Sequence, residues 1–155
     1  MIQRKQTLFL LISGILMLLL VFFPIAKVMI PDMVYSLNAT GFEDLAGDMI
    51  MPTWALFGLT ILIILLSFVT IFLYTKRVLQ MRITIFNLLI KLGFIALAFV
   101  YKQSFTNTLV DTNIDWSFSI TPWVALPIVA MIFDYLAYRG IAVDDRTIRF
   151  MDRLR

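Results

Sequence analysis

Asn87, Lys91 and Asp134 are the residues of this chain whose types and spacing could do chemistry. Asn87 and Lys91 stand four apart in the apolar run FNLLIKLGF, and Asp134 stands in AMIFDYLAY. Four apart on a helix means one face. An ammonium and a carboxylate in such surroundings can pass a proton, hold a polar solute, or neutralise each other. Either charge alone at the centre of a bilayer costs at least about 2.5–3.5 kcal/mol on insertion scales. They are therefore expected to meet. Lys91 lies nine residues beyond Arg82, about 13 Å along a helix. Asn87 lies five beyond Arg82 and Asp134 five before Arg139, each about 7–8 Å deep. Asn87 and Asp134 should be level, with Lys91 one turn further on and able to bend down to the carboxylate. Ala130 and Ala137 flank Asp134 on its face and would let two helices close up. Three readings of the cluster stay open: a pair that fixes helix register, a proton or substrate relay, and a contact with a partner subunit's helix.

Other chemistry has little to work with. There is no cysteine and no histidine, which removes thiol chemistry, most transition-metal sites and the commonest general base. No phosphate-binding glycine loop, metal-spaced cluster or Ser/His pair occurs. Adjacent carboxylates stand only at Glu43-Asp44 and Asp144-Asp145, where helix capping explains them better than acid–base work. The expectation is no catalytic residue, no cofactor, no metal and no enzyme.

The elements that must position the cluster follow from composition. Hydrophobic residues make up 61% and charged ones 15%, against about 45–50% and 25% in soluble domains. The mean hydropathy is +0.94. A crossing helix needs about 20 mainly apolar residues. Four runs qualify, at about 7–29, 53–75, 83–101 and 120–139. The first is too long and has too poor a cleavage site for a signal peptide. Ten of the 13 basic residues fall on one set of flanks: Arg4, Lys5, Lys76, Arg77, Arg82, Arg139, Arg146, Arg149, Arg153 and Arg155. The opposite connections hold Asp32, Glu43, Asp44, Asp48, Asp111 and Asp115 with Lys102. By the positive-inside rule both termini are expected to be cytoplasmic. Trp54, Tyr101, Trp116 and Trp123 would lie at the outer boundary, and Lys27 would snorkel outward from the first span. The net charge of +3 reads as topology, not nucleic-acid binding.

The connections carry weaker signals. Seven residues around KRVLQMR force an antiparallel hairpin of spans two and three. Thr40 and Glu43 fit a capping box, with apolar residues at helical spacing after it, so a short surface helix is expected there. MVYSLN and NIDWSFS alternate, the latter at Ile114, Trp116 and Phe118, and could pair as two short strands. Pro127 should remove a mid-helix hydrogen bond and kink the fourth span. The tail, 140–155, reads as a cytoplasmic amphipathic helix capped by Asp144 or Asp145. Its Arg146, Arg149, Arg153 and Arg155 would dock a partner or lie on lipid. The fold class expected is an all-α membrane protein: a four-transmembrane-helix bundle with a short exoplasmic helix, a small two-stranded β element and a cytoplasmic C-terminal helix, as one domain over 1–155.

The opening MIQR, Met1 to Arg4, and the closing DRLR, Asp152 to Arg155, resemble a family of small four-span inner-membrane proteins of Bacteroidetes, described as a domain of unknown function. The resemblance implies the bacterial inner membrane and brings no activity or site residues. Two functions remain. One is a non-enzymatic accessory or scaffold subunit, partnered by the lipid bilayer and by other membrane proteins or a homo-oligomer. The alternative is a small transporter or ion-coupled carrier using Asn87, Lys91 and Asp134.

Overall fold

The computed structural model describes residues 3–31, 33–111 and 115–153; the side chains of residues 3, 4, 111, 148, 149 and 151–153 lie outside the description. Four helices are joined by strands at one end: α1 (Gln3–Leu20), α2 (Trp54–Phe72), α3 (Arg77–Asp111) and α4 (Ala125–Arg153). α1 and α3 each pack on both α2 and α4, so the four close a ring. Buried positions recur at alternating spacings of three and four. On α2 they are Leu56, Thr60, Ile63, Ser67 and Thr70. On α3, Gln80, Thr84, Asn87, Lys91 and Phe94 are buried. That spacing keeps one seam facing the neighbours along nearly parallel helices. Small residues mark the crossings: a Cβ on Gly14 would meet Ser67 Cβ at 3.3 Å, and one on Gly140 would meet Gln6 Cγ at 3.0 Å.

Three helices are long and apolar enough to cross a membrane, lying within Trp54–Phe72, Arg77–Val110 and Pro122–Thr147. This is the mark of a membrane protein. Their outer faces carry exposed Leu65, Phe72, Phe86, Leu89 and Ile132, a surface suited to lipid and not to water. α1 is shorter. It stops at Leu20, well before the Met29 end that its apolar run suggests. Pro24 explains the stop, because proline and the residue before it leave the helical region.

The all-α expectation is wrong. A five-stranded antiparallel sheet of order β4-β3-β2-β1-β5 sits over the helices. Its strands are β1 (Ala26–Met29), β2 (Val34–Leu37), β3 (Gly41–Glu43), β4 (Met49–Pro52) and β5 (Ser117–Ile120). Each alternating segment contributes strand residues, Val34–Leu37 and Ser117–Ile120, though Trp116 lies before the strand, and the two do not pair. β1 lies between them, with Val28 opposite Tyr35 on one side and Phe118 on the other. β1 had been absorbed into the first apolar run. Ala26 and Val28 are buried while Lys27 and Met29 point out, so Lys27 is on a sheet face and not at a helix end. Ile114 lies outside the described residues.

The expected surface helix after Thr40 is also wrong. That stretch is the β3–β4 hairpin, closed through Gly47 at φ 86°. Glu43 is held by Asn38 Nδ2 at 2.5 Å and Thr40 Oγ1 at 2.9 Å. The Thr–Glu spacing that suggests a helix cap instead braces a strand. Leu45, Met49 and Ile50 are exposed, so no helical face is buried there.

The sheet stands on an extension of α3. Thirty-five residues span about 52 Å, against a hydrocarbon core of about 30 Å. Beyond the apolar stretch, Phe105 stacks on Phe42 at 4.1 Å and meets Tyr35 edge-on at 5.6 Å. Thr121 Oγ1 donates to the carbonyls of Pro24 and Ile25, tying the start of α4 to the α1–β1 joint. The tail is not a separate helix, because α4 runs unbroken from Ala125 to Arg153. Asp144 pairs with Arg77 at 3.1 Å instead of capping. Pro127 is the third residue of α4, in the first turn, where a missing N–H costs little.

Phe105→Ala should cost the sheet about 3–5 kcal/mol by the usual core truncation. Amide exchange is expected to quicken over residues 26–52 and stay slow over 56–70. Equal quickening in both regions would show that the sheet does not rest on α3.

Candidate functional site

Lys91 and Asp134 are brought together. The Lys91 ammonium bonds the Asp134 carboxylate directly, and both side chains have zero exposure. Lys91 lies 14 residues into α3 from Arg77, about 21 Å along it. Asp134 faces it from the seam of α4, between the buried Ala130 and Ala137. α1 supplies a third member. Lys91 Nζ donates to Ser13 Oγ at 2.7 Å. One ammonium thus joins three helices.

Asn87 does not join that bond. Its Nδ2 donates to Ser67 Oγ on α2 at 2.9 Å, and Ser67 Oγ in turn donates to the Ile63 carbonyl at 2.9 Å. Between them, Lys91 and Asn87 connect α3 to every other helix. The expected meeting of Asn87 with Asp134 fails because Ser67 occupies the facing seam. Residue type alone does not single out Ser13 and Ser67 as partners of the cluster. The signal that singles them out is their place in the three-and-four spacing, Ser13 with Gln6, Leu10, Met17 and Leu20 on α1.

The interior is divided along its length. Towards the basic end it is polar, with Gln6, Thr70, Gln80 and Thr84 all buried. Gln80 Nε2 donates to the Thr70 carbonyl at 3.1 Å. Towards the sheet it is apolar, with Met17, Leu20, Leu56, Ile63 and Phe94 buried. The pair sits at the boundary. Neither Lys91 nor Asp134 lines the cavity under the sheet or the cleft at the basic end. The pair is buried, with Asp134 Oδ1 left without a hydrogen-bond partner among the described residues, and it can hold the helices in register. Among the described residues no three His, Cys, Asp or Glu come close enough to hold a metal ion.

The arginines expected to dock a partner are only partly placed. Arg146 is exposed on α4. Arg149 and Arg153 lie on the same helix, with side chains outside the description, and Arg155 lies outside the described residues altogether.

A family model described as a domain of unknown function (DUF4293) matches residues 2–154. The chain belongs to the DUF4293 family. Its match covers the helices and the sheet alike. No curated protein matches the sequence.

Removing one partner of the buried pair leaves an unpaired charge, at a cost of about 3–5 kcal/mol. Asp134→Ala should therefore destabilise the DUF4293 chain more than Asp134→Ala combined with Lys91→Met. Thermal unfolding in detergent measures the cycle. Additive losses would mean that the two groups do not stabilise each other.

Proposed function

We propose that this protein is a non-enzymatic accessory or scaffold subunit of a membrane protein complex. It would lie in the inner membrane of a bacterium, with both termini cytoplasmic. One observation carries the reading: the charged pair inside the helices is sealed, with zero exposure at Lys91 and Asp134. A carrier would need that pair reachable from one side at a time. Both ends offer surfaces open to other protein chains. At one end is a sheet whose edge strands β4 and β5 are each paired on one side only among the described residues. At the other is a basic rim that includes Lys5, Lys76, Arg82 and Arg146, all at least partly exposed. Edge strands and charged rims are surfaces on which other chains dock. The orientation rests on the bias of bases to the rim and of Glu43, Asp44, Asp48 and Asp115 to the sheet end.

The carrier reading draws on one observation of its own. Asn87 Oδ1 is buried without a hydrogen-bond partner among the described residues. An unused acceptor one turn from Lys91 could serve a relay if the helices part.

Extraction in mild detergent followed by mass spectrometry should recover other membrane proteins, or further copies of the chain, at fixed stoichiometry. A clean monomer from native membranes would sink the scaffold reading. The chain has no cysteine, so single substitutions report orientation directly. Asp48→Cys should react with a membrane-impermeant maleimide on intact inner membranes, and Arg146→Cys only after they are opened. The reverse pattern would overturn the topology.

A further inference from the structure

An apolar cavity of about 300 Å³ lies beneath the sheet, between α3, the start of α4 and strands β1 and β5. That is the lower end of the range for ligand pockets. Phe94, Ala98 and Phe99 form its α3 wall, Pro127 of α4 and Val124 just before it the opposite wall, and Phe118 part of its roof. It opens on the flank of the molecule, since Phe99 and Ile120 on its walls are 63% and 64% exposed. That flank is the one that lipid would cover. Among the described residues Lys102 is the sole charged one lining it. Its ammonium lies 4.5 Å from the centroid of Phe118 and 5.5 Å from that of Phe99, with no carboxylate bonded to it among the described residues. The aromatic faces hold the cation at the mouth without neutralising it.

The height of the site fits its chemistry. Lys102 stands 11 residues beyond Lys91, about 16 Å nearer the sheet. Tyr101 precedes it, and Trp123, stacked on Phe23 at 4.0 Å, stands next to Val124 of the cavity wall. Aromatic residues of this kind sit at the headgroup level of a bilayer. A greasy slot open to lipid, with one unneutralised cation at headgroup height, is complementary to one class of molecule. It has an acyl chain for the slot and an anionic phosphate for the ammonium.

We propose that this cavity binds one acyl chain of an anionic phospholipid from the leaflet on the sheet side, with the phosphate on Lys102. The lipid would fill the joint between sheet and helices, where β1 and β5 otherwise stand over a void. Charge complementarity selects the headgroup, and the cavity selects for a chain.

The test uses the full chain in nanodiscs of phosphatidylcholine and phosphatidylglycerol with identical chains, read by native mass spectrometry. One phosphatidylglycerol should be retained in preference to phosphatidylcholine. Lys102→Gln should lower that preference about fivefold, the worth of one cation near an anionic headgroup. Lys102→Arg should keep it. Ala98→Leu, which narrows the slot, should lower retention of both lipids. Lys27→Gln, an exposed cation on the outward face of β1, should change nothing. Equal retention of the two lipids by the unaltered chain would overturn the proposal. So would a preference indifferent to Lys102→Gln or equally reduced by Lys27→Gln, or displacement of the phospholipid by an equimolar free fatty acid.

Discussion

A lysine and an aspartate with zero exposure impose a constraint that the packing around them obeys. In a low-dielectric interior neither charge is tolerable alone, so α3 and α4 must present Lys91 and Asp134 to each other at one height. Ser13 on α1 takes a further bond from the same ammonium. Turning α3 by one residue, about 100°, would send Lys91 outward and bring in Leu92, now 54% exposed. Hydrophobic contacts alone would not forbid that slip, because lipid and the interior of a helix packing are about equally apolar. The ion pair sets the register. The close approach at Gly14 and Gly140, and the Asn87–Ser67 bond one turn below, then have fixed partners to meet.

The division of the interior follows from the same pair. Below it, Gln80, Thr84 and Asn87 on α3 find partners on their own or neighbouring helices. Above it, Met17, Ile63 and Phe94 close the space with apolar side chains. The apolar half merges with the underside of the sheet through Leu37, Phe42 and Phe105. Sheet and helices therefore share one core, although one part faces water and the other lipid. With its buried Lys91 and Asp134 engaged in holding its own helices, the protein has its ends left for interaction, which is the basis for reading it as a subunit.

Much of the membrane part was legible in the sequence. Lys91 and Asp134 stood out because charges are rare in runs such as FNLLIKLGF, and depth counted from Arg82 and Arg139 brought them within reach. Serines at 13 and 67 were harder to see, since a hydroxyl on a helix often bonds only its own backbone, as Thr60 does with the Leu56 carbonyl at 2.8 Å. The sheet was largely hidden. Strand β1 continues an apolar run, and only Pro24 marks the change. β3 has three residues, too few to show an alternation. Thr40, just before it, and Glu43 carry a spacing that helices and strand corners both use. The extension of α3 was read as loop because Lys102 and the polar residues after it resemble an exposed connection. Phe105 and Leu109, four apart and both buried, are the trace of the continuing helix.

The sheet is assembled from two distant parts of the chain. Strands β1 to β4 precede α2, whereas β5 follows α3 and pairs with β1 across some ninety positions, as Ala26 does with Ile120. During synthesis the first four strands would emerge with one flank of β1 unsatisfied. It would stay so until two more crossings had been threaded and the segment up to Ile120 delivered to the same side. Completion of the sheet thus depends on α2 and α3 returning the chain to the end where β1 lies, and a chain that failed to make that return would keep a bare strand edge.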